Sequence, residues 1–195
     1  MPSTKEQILD AASRLVHSRG FNNTSVDEIL KECGVGKGNL YYYFKSKDAL
    51  GFAILERSLE RFSTELVENS FAPNKDPWQQ IEDFLGFLAS RARQHDGSRG
   101  CILGNLAVEM SGIHEEFRRR LDKAFERLRS RIEASLTQAK AQGTLRPDAD
   151  IPRLAHFIVA GFEGAFMMGK LHKNPDVVAG VVEELKEHLA QYRVA

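Results

Sequence analysis

The sequence predicts an all-α protein of about nine helices. Apolar residues recur at the three- and four-residue spacing of amphipathic helices through most of the 195 residues. Capping residues and helix-stopping glycines or prolines divide these stretches. No stretch shows the alternation expected of a strand, and no internal repeat, low-complexity tract or long linker is visible. The length suits one small domain joined to a larger one.

Three short helices are predicted at the start of the chain. Thr4 is the expected N-cap of the first helix, which Gly20 ends. Ser25 and Glu28 form a capping box for the second helix, and Gly34 ends that helix after about two turns. The third helix follows a tight turn, so the second and third together are predicted to form a helix-turn-helix.

The third helix lies in an unusual segment, residues 36–47, which reads Gly-Lys-Gly-Asn-Leu-Tyr-Tyr-Tyr-Phe-Lys-Ser-Lys. Lysines supply charge, tyrosines supply hydroxyls and flat faces, and glycines let the backbone come close to a partner. Basic and acidic residues balance at 27 each, so any contact with nucleic acid must be local. Residues 31–47 contain four lysines and one glutamate, a net charge of +3. This composition is typical of a recognition helix, but an ordinary helix with half-buried tyrosines and solvated lysines would also fit it.

Six further helices are predicted after this segment. Ser46 caps a long fourth helix that continues to Phe71, and the fifth starts at Asp76 and Pro77 and ends before His95. Residues 96–100 form a loop by composition. The remaining helices are predicted at residues 101–111, 117–143, 150–172 and from 174 onwards.

Composition also limits the cellular context. Two cysteines, Cys33 and Cys101, suit a reducing cytoplasm better than a disulfide framework. Cys33 is expected as a buried thiol between the early helices. The N-terminus lacks the apolar core of a signal peptide, and the most apolar run, residues 157–168, is interrupted by Glu163 and too short to span a bilayer. We therefore expect a cytoplasmic protein with no membrane partner.

No arrangement of residues indicates catalysis. The six histidines are spread along the chain without metal-ligand spacing, and no serine, histidine and carboxylate arrangement is visible. We expect no metal, no cofactor and no enzymatic activity.

The order of these elements and the motif Gly-Lys-Gly-Asn-Leu-Tyr-Tyr-Tyr-Phe-Lys-Ser-Lys-Asp-Ala-Leu resemble the TetR family of bacterial one-component transcriptional repressors. The resemblance is specific over roughly the first 50 residues and looser afterwards. It implies a helix-turn-helix DNA-binding domain at residues 1–47 and a ligand-binding and dimerisation domain at residues 48–195. It also implies a homodimer on a double-stranded, palindromic DNA operator, released by a small-molecule inducer.

The resemblance assigns roles to eight residues of the first domain. Ser25 and Lys47 stand where family members hold the phosphate backbone, and Lys37, Gly38 and Asn39 are candidates for contact with base edges. Lysine suits guanine acceptors, asparagine suits adenine, and glycine permits close approach.

The three tyrosines complete this set. Tyr42 is expected to donate to a phosphate, whereas Tyr41 and Tyr43 divide between groove contact and packing. Leu40 and Phe44 are expected in the core.

The segment Gly-Cys-Ile-Leu-Gly-Asn-Leu at residues 100–106 resembles a branch of the family that responds to reactive electrophiles and aldehydes. Cys101 opens a helix, whose dipole favours the thiolate. His156, Glu163 and Lys170 are spaced by seven and share a helix face. One hypothesis is that Cys101 is a reactive sensor, with Lys170 stabilising its thiolate or capturing an oxidised form. The alternative is that Cys101 is a buried apolar residue and Lys170 is solvated.

A third interpretation is a non-covalent inducer pocket, with Glu163 or His156 orienting a polar group. Its candidate lining residues are Trp78, Phe84, Cys101, Leu106, Met110, Phe162, Phe166 and Met167. In each case, we expect the signal to move the sixth helix, displace the fourth and change the separation of paired recognition helices.

The last helix carries a narrow apolar stripe suited to packing against another helix, and the family resemblance places it at a dimer interface. Its residues are Val178, Val181, Val182, Leu185 and Leu189. The alternative class of protein is a helical interaction or redox-sensing module without DNA binding.

Overall fold

The computed structural model describes residues 3–94 and 98–194. Within these ranges it confirms the all-α prediction, and its only strand-like pairing is an isolated bridge between Leu145 and Arg193. Part of the predicted loop at 96–100, residues 96 and 97, lies outside the described ranges, as does His95. The helices are α1 (Thr4–Arg19), α2 (Val26–Cys33), α3 (Lys37–Tyr43), α4 (Lys47–Asn69), α5 (Pro77–Gln94), α6 (Ile102–Met110), α7 (Glu115–Ala141), α8 (Ile151–His172) and α9 (Asp176–Ala190).

Side-chain caps define several helix starts. The N-cap of α1 is Ser3 and not the predicted Thr4. Ser3 and Glu6 form a capping box, in which the Glu6 N–H donates to the Ser3 Oγ and the Ser3 N–H donates to the Glu6 carboxylate at 2.7 Å. The predicted capping box of Ser25 with the glutamate three residues on is present at the start of α2. Asp150 caps α8, with its Oδ1 accepting the N–H of the residue three positions later.

The described chain packs as two compact units, which do not follow the predicted domain boundary. Unit 1 contains residues up to 61 together with 102–121, and unit 2 contains 62–101 and 122 onwards. The boundary between the two units after residue 61 lies within α4. The boundary between residues 47 and 48 therefore remains a prediction about which segment binds DNA.

Unit 1 is built around α1, α2 and α3, which pack against one another, and a group of aromatic rings. Phe21 packs against Phe117 with 5.2 Å between ring centroids, and Phe117 packs against Phe52 at 4.7 Å. A Cβ atom at Gly51 would lie 2.5 Å from the ring of Phe21, so glycine is needed for this close packing. Cys33, expected in the core, is only half-buried.

Unit 2 has its own apolar core, in which α5, α8 and α9 pack together. Glycines on α8 allow close approach of α9: a Cβ at Gly161 would lie 3.0 Å from Leu185, and one at Gly169 would lie 2.9 Å from Val178. Ser135 and Gln80 form a buried hydrogen bond of 2.6 Å.

Helix α8 is long and apolar enough to cross a membrane by length and composition, with a mean hydropathy of 1.2 over its most apolar window. This is weak evidence, because core helices of soluble proteins pass the same test. Leu154, Ile158 and Phe162 of this helix are buried in the core of unit 2.

Candidate DNA-binding and ligand-sensing sites

Helix α3 is presented on a tight, glycine-containing turn. Gly34 ends α2 in the left-handed conformation, with φ of 67°, and Gly36 is the N-cap of α3. Leu40 and Phe44 are buried, as predicted, and anchor one side of the segment in unit 1.

The other side of α3 is exposed. Lys37, Gly38 and Asn39 of its first turn are all accessible to solvent. Asp27 of α2 lies 3.8 Å from the Lys37 ammonium, but both side chains are largely exposed, so this ion pair leaves the lysine available.

The predicted tyrosine contacts are also on the exposed side. Tyr42 is 73% exposed, and its ring stacks edge-on against that of Tyr43 at 4.9 Å. Tyr41 and Tyr43 are about half as exposed as Tyr42. Their hydroxyls are therefore accessible donors, and α3 offers cationic, amide and phenolic donors together.

The two residues predicted to hold phosphates already have partners within the protein. The Ser25 hydroxyl donates to the Glu28 carboxylate at 2.8 Å and also accepts the Glu28 N–H. The Ser25 backbone N–H, which donates to the same carboxylate at 2.8 Å, and the hydroxyl together lower the pKa of the Glu28 carboxyl. The Lys47 ammonium donates to the carbonyl of Asn22 at 3.3 Å and lies over the ring of Phe21. Their assignment as phosphate contacts stays a prediction, and binding a phosphate would compete with these contacts.

The predicted sensing residues are divided between the two units. Leu106 and Met110 are buried in unit 1, and the Met110 sulfur lies 3.5 Å from the side-chain nitrogen of Asn22. The other predicted sensing residues belong to unit 2.

The aromatic members in unit 2 form a packed cluster. Phe84 and Phe162 meet edge-to-face at 5.7 Å, Phe166 lies 6.5 Å from Phe162, and Trp78 donates from Nε1 to Glu82 at 2.9 Å. All four predicted residues are buried. They are core residues in this structure, and their role in ligand binding stays a prediction.

Two of the predicted ligand-binding residues are on the surface instead. His156 is exposed, and its Nδ1 lies 2.9 Å from the carbonyl oxygen of Pro152. Met167 is 61% exposed. Because α8 buries Phe162 and Phe166, the positions of His156 and Met167 on the same helix face outwards. Their role in ligand binding stays a prediction.

Cys101 and Glu163 meet in unit 2. Cys101 is half-buried and immediately precedes α6, and its thiol is hydrogen-bonded to the Glu163 carboxylate. Burial raises the pKa of Glu163 to about 7, against the opposing effect of the cysteine hydrogen bond. The Glu163 Oε1 atom is enclosed, with no hydrogen-bond partner in the described part of the chain. Lys170, seven residues further along α8, is half-buried.

Two surface grooves lie elsewhere in unit 2. One, of about 430 Å³, is lined by α5 and α9 around Gly86 and Gly180, and the other, of about 620 Å³, surrounds Phe157, His188 and Tyr192. None of the predicted ligand-binding residues lines either groove.

The stripe predicted at a dimer interface is buried within one protomer. Four of its five side chains, Val178, Val182, Leu185 and Leu189, are almost inaccessible because α9 packs them against α5 and α8. The assignment of these residues to a dimer interface stays a prediction, although these four side chains are buried within one protomer. Val181, the fifth, is half-buried against the same core.

An exposed apolar stripe is present on α8 instead. The side chains of this α8 stripe that remain exposed are Phe157, Met167, Met168 and Leu171. Leu171 is the most exposed of the four, at 71%.

A capped helix, a glycine turn and an exposed recognition helix define a helix-turn-helix regulator of transcription. Comparison with known proteins gives the same class. Residues 8–54 match the family described as bacterial regulatory proteins, tetR family, and residues 77–185 match the family described as the Tetracyclin repressor-like C-terminal domain. The chain belongs to the TetR family, as a DNA-binding regulator with a ligand-binding C-terminal domain.

Individual relatives match over nearly the full length. An uncharacterized HTH-type transcriptional regulator of Lactococcus lactis subsp. lactis is 30% identical over 94% of this chain and 92% of its own. The HTH-type transcriptional repressor NemR of Escherichia coli K12 is 25% identical over 96% of this chain and 94% of its own. A crystal structure of regulatory protein TetR from Rhodobacter sphaeroides is 28% identical, covers 97% of this chain and 98% of its own, and superimposes with a TM-score of 0.86.

Two pairings in these sites were not predicted from the sequence. Glu163 was visible as a charge within an apolar run, but its contact with Cys101 was not. Glu109 of α6 binds the backbone of Phe21 and Asn22, and no local sequence signal connects positions so far apart.

Proposed function

We propose that this protein is a repressor that binds a palindromic operator as a homodimer and leaves it when an inducer acts on its C-terminal half. The observation that carries the DNA-binding part is the exposed face of α3, where Lys37, Asn39 and Tyr42 offer donors of three kinds. A lysine can donate to guanine acceptors, an asparagine can pair with adenine, and a tyrosine can donate to phosphate. A DNA-binding regulator of a bacterium is expected to work in the cytoplasm.

The test is a titration of the full-length protein with the DNA that flanks its own gene, at two salt concentrations. Lys37→Ala should weaken binding and relax base preference at one position, by about 1–3 kcal/mol. Lys123→Ala, at an exposed position on α7, makes the same charge change away from α3 and should leave base preference unchanged. If wild-type protein binds no fragment at either salt concentration, the alternative of an interaction or redox module is favoured.

Homodimerisation is part of the proposal, and the α8 stripe supports it. Large apolar side chains exposed along one helix are typical of a protein–protein interface. Two copies would place two α3 helices about 34–36 Å apart or further, which fits a palindromic site.

The sensing step is proposed at Cys101. Addition of its thiol to the β-carbon of an α,β-unsaturated carbonyl would form an S–C bond and break the S–H bond. Glu163 would accept the thiol proton, and the α-carbon would take up a proton in turn.

A non-covalent inducer is the second candidate, and the enclosed Oε1 of Glu163 favours it. A buried acceptor without a partner is costly, and a ligand carrying an N–H or O–H donor would satisfy it. The two candidates differ in whether Cys101 is needed for release from DNA. In both, we propose that the signal reaches the recognition helices through α6 and α4.

A further inference from the structure

The turn between α1 and α2 is held by a carboxylate from a distant helix. Its first residue, Gly20, has φ of 91°, which favours glycine, and the next two backbone N–H groups point away from any helix ladder. The Phe21 N–H donates to Oε2 of Glu109 at 2.8 Å, and the Asn22 N–H donates to Oε1 at 2.7 Å. One carboxylate of α6 therefore satisfies two adjacent backbone donors of the turn.

Other contacts fix the same turn from α6 and α4. The Asn22 side chain donates to the sulfur of Met110, the residue that follows Glu109. The Asn22 carbonyl accepts from the Lys47 ammonium, which also lies over the Phe21 ring at 4.7 Å. All these groups belong to unit 1.

The position of Glu109 is unfavourable for α6 itself. It is the penultimate residue of the helix, where the negative end of the helix dipole repels a carboxylate. Hydrogen bonds to a charged acceptor are among the stronger ones in proteins. The Glu109 carboxylate therefore stabilises the turn between α1 and α2 and not its own helix, α6.

We propose that Glu109 is a positioning residue, which transmits a displacement of α6 to the helix-turn-helix through the turn between α1 and α2. Cys101 immediately precedes α6, so modification or ligand binding there acts at one end of the helix whose other end binds the turn. Because α1, α2 and α3 pack together, a shift of the turn shifts α3. The inference rests on the proposed reading of DNA by α3.

The first measurement is amide hydrogen exchange in the full-length protein. Glu109→Gln keeps the side-chain length but leaves one acceptor oxygen, so exchange at residues 21 and 22 should rise about tenfold or more. Glu109→Asp keeps the charge with a shorter reach and should show the same direction. Glu115→Gln is the matched control, because it removes a charge from the same unit at an exposed site, where Glu115 pairs locally with Arg118.

The second measurement is the affinity of the same proteins for the DNA fragment that wild type binds. Both Glu109 variants should bind it about 5-fold or more weakly, whereas Glu115→Gln should match wild type. Unchanged exchange at residues 21 and 22 would overturn the hydrogen-bonding role of Glu109. Faster exchange with unchanged affinity would overturn its transmitting role. Absence of binding by wild type would refute the proposed function itself, which separates the two failures.

Discussion

The thiol of Cys101 donates a hydrogen bond to the carboxylate of Glu163, inside the larger of the two compact units. This places a proton acceptor beside a candidate nucleophile. Because the Glu163 carboxyl is buried, its ionisation also changes the stability of the folded protein. The reactivity of Cys101 and the pH dependence of stability can be measured separately.

The first prediction concerns pH and stability. Burial raises the pKa of Glu163 from 4.5 to about 7, so between these values the folded protein holds a proton that the unfolded chain has released. The stabilisation from this proton is therefore complete below pH 4.5 and is lost as the pH rises to 7. Relative to Glu163→Gln, the wild-type free energy of unfolding should fall by about 3 kcal/mol over this range, measured by urea unfolding. A constant difference between the two proteins would contradict the raised pKa.

The second prediction concerns the sensor. Cys101→Ser should abolish release from DNA by an electrophile such as N-ethylmaleimide, because serine is a far weaker nucleophile at neutral pH. Cys33→Ser, which changes the other cysteine, should respond like wild type. The measurement is DNA binding before and after treatment. Equal release from wild type and Cys101→Ser would eliminate the covalent mechanism at Cys101.

The third prediction concerns the packing of α4. Gly51→Ala should lower the free energy of unfolding by about 1–3 kcal/mol, because the new methyl group meets the rings of Phe21 and Phe117 at 2.5 and 2.7 Å. Gly86→Ala, inside α5 with no atom within 4 Å of the new Cβ, should instead be neutral or stabilising by up to about 1 kcal/mol. Urea unfolding of both variants provides the comparison. If Gly51→Ala proved as stable as wild type or more stable, like Gly86→Ala, helix propensity and not this packing would decide the outcome.

The fourth prediction concerns the α8 stripe. Leu171→Glu should shift the protein from dimer to monomer in sedimentation experiments, because a charge cannot be buried unpaired at an apolar interface. Val108→Glu changes a residue of α6 that is 87% exposed, so it tests an equally accessible apolar site outside the stripe. It should leave the oligomeric state unchanged. A dimer that survives Leu171→Glu and a matching Met167→Glu change would assign the interface to another surface.

The helices were predictable because their signals are local. Ser25 with Glu28, Asp150 before α8 and Gly34 after α2 each act within a few residues, and the structure has all of them. The misplacement of the first cap by one residue came from choosing between adjacent hydroxyl residues, Ser3 and Thr4.

Partners across the chain were not predictable in the same way. The stripe of α9 that includes Val178 and Leu185 indicates an apolar face, but periodicity does not say whether that face packs against its own chain or a second one. The hydrogen bonds between Glu109 and the turn could not be predicted either, because the sequence carries no signal for two groups that meet only after folding.

The ring of Phe21 has a consequence for the order of events during synthesis. Its packing partner Phe117 and its backbone partner Glu109 are both encoded far downstream, past the middle of the chain. Proteins often begin to fold from the N-terminus while the ribosome is still at work. Here the N-terminal helices must wait for residues 109 and 117 to emerge before their unit can close. A nascent chain stalled midway would therefore carry the recognition helix without the contacts that fix it in place.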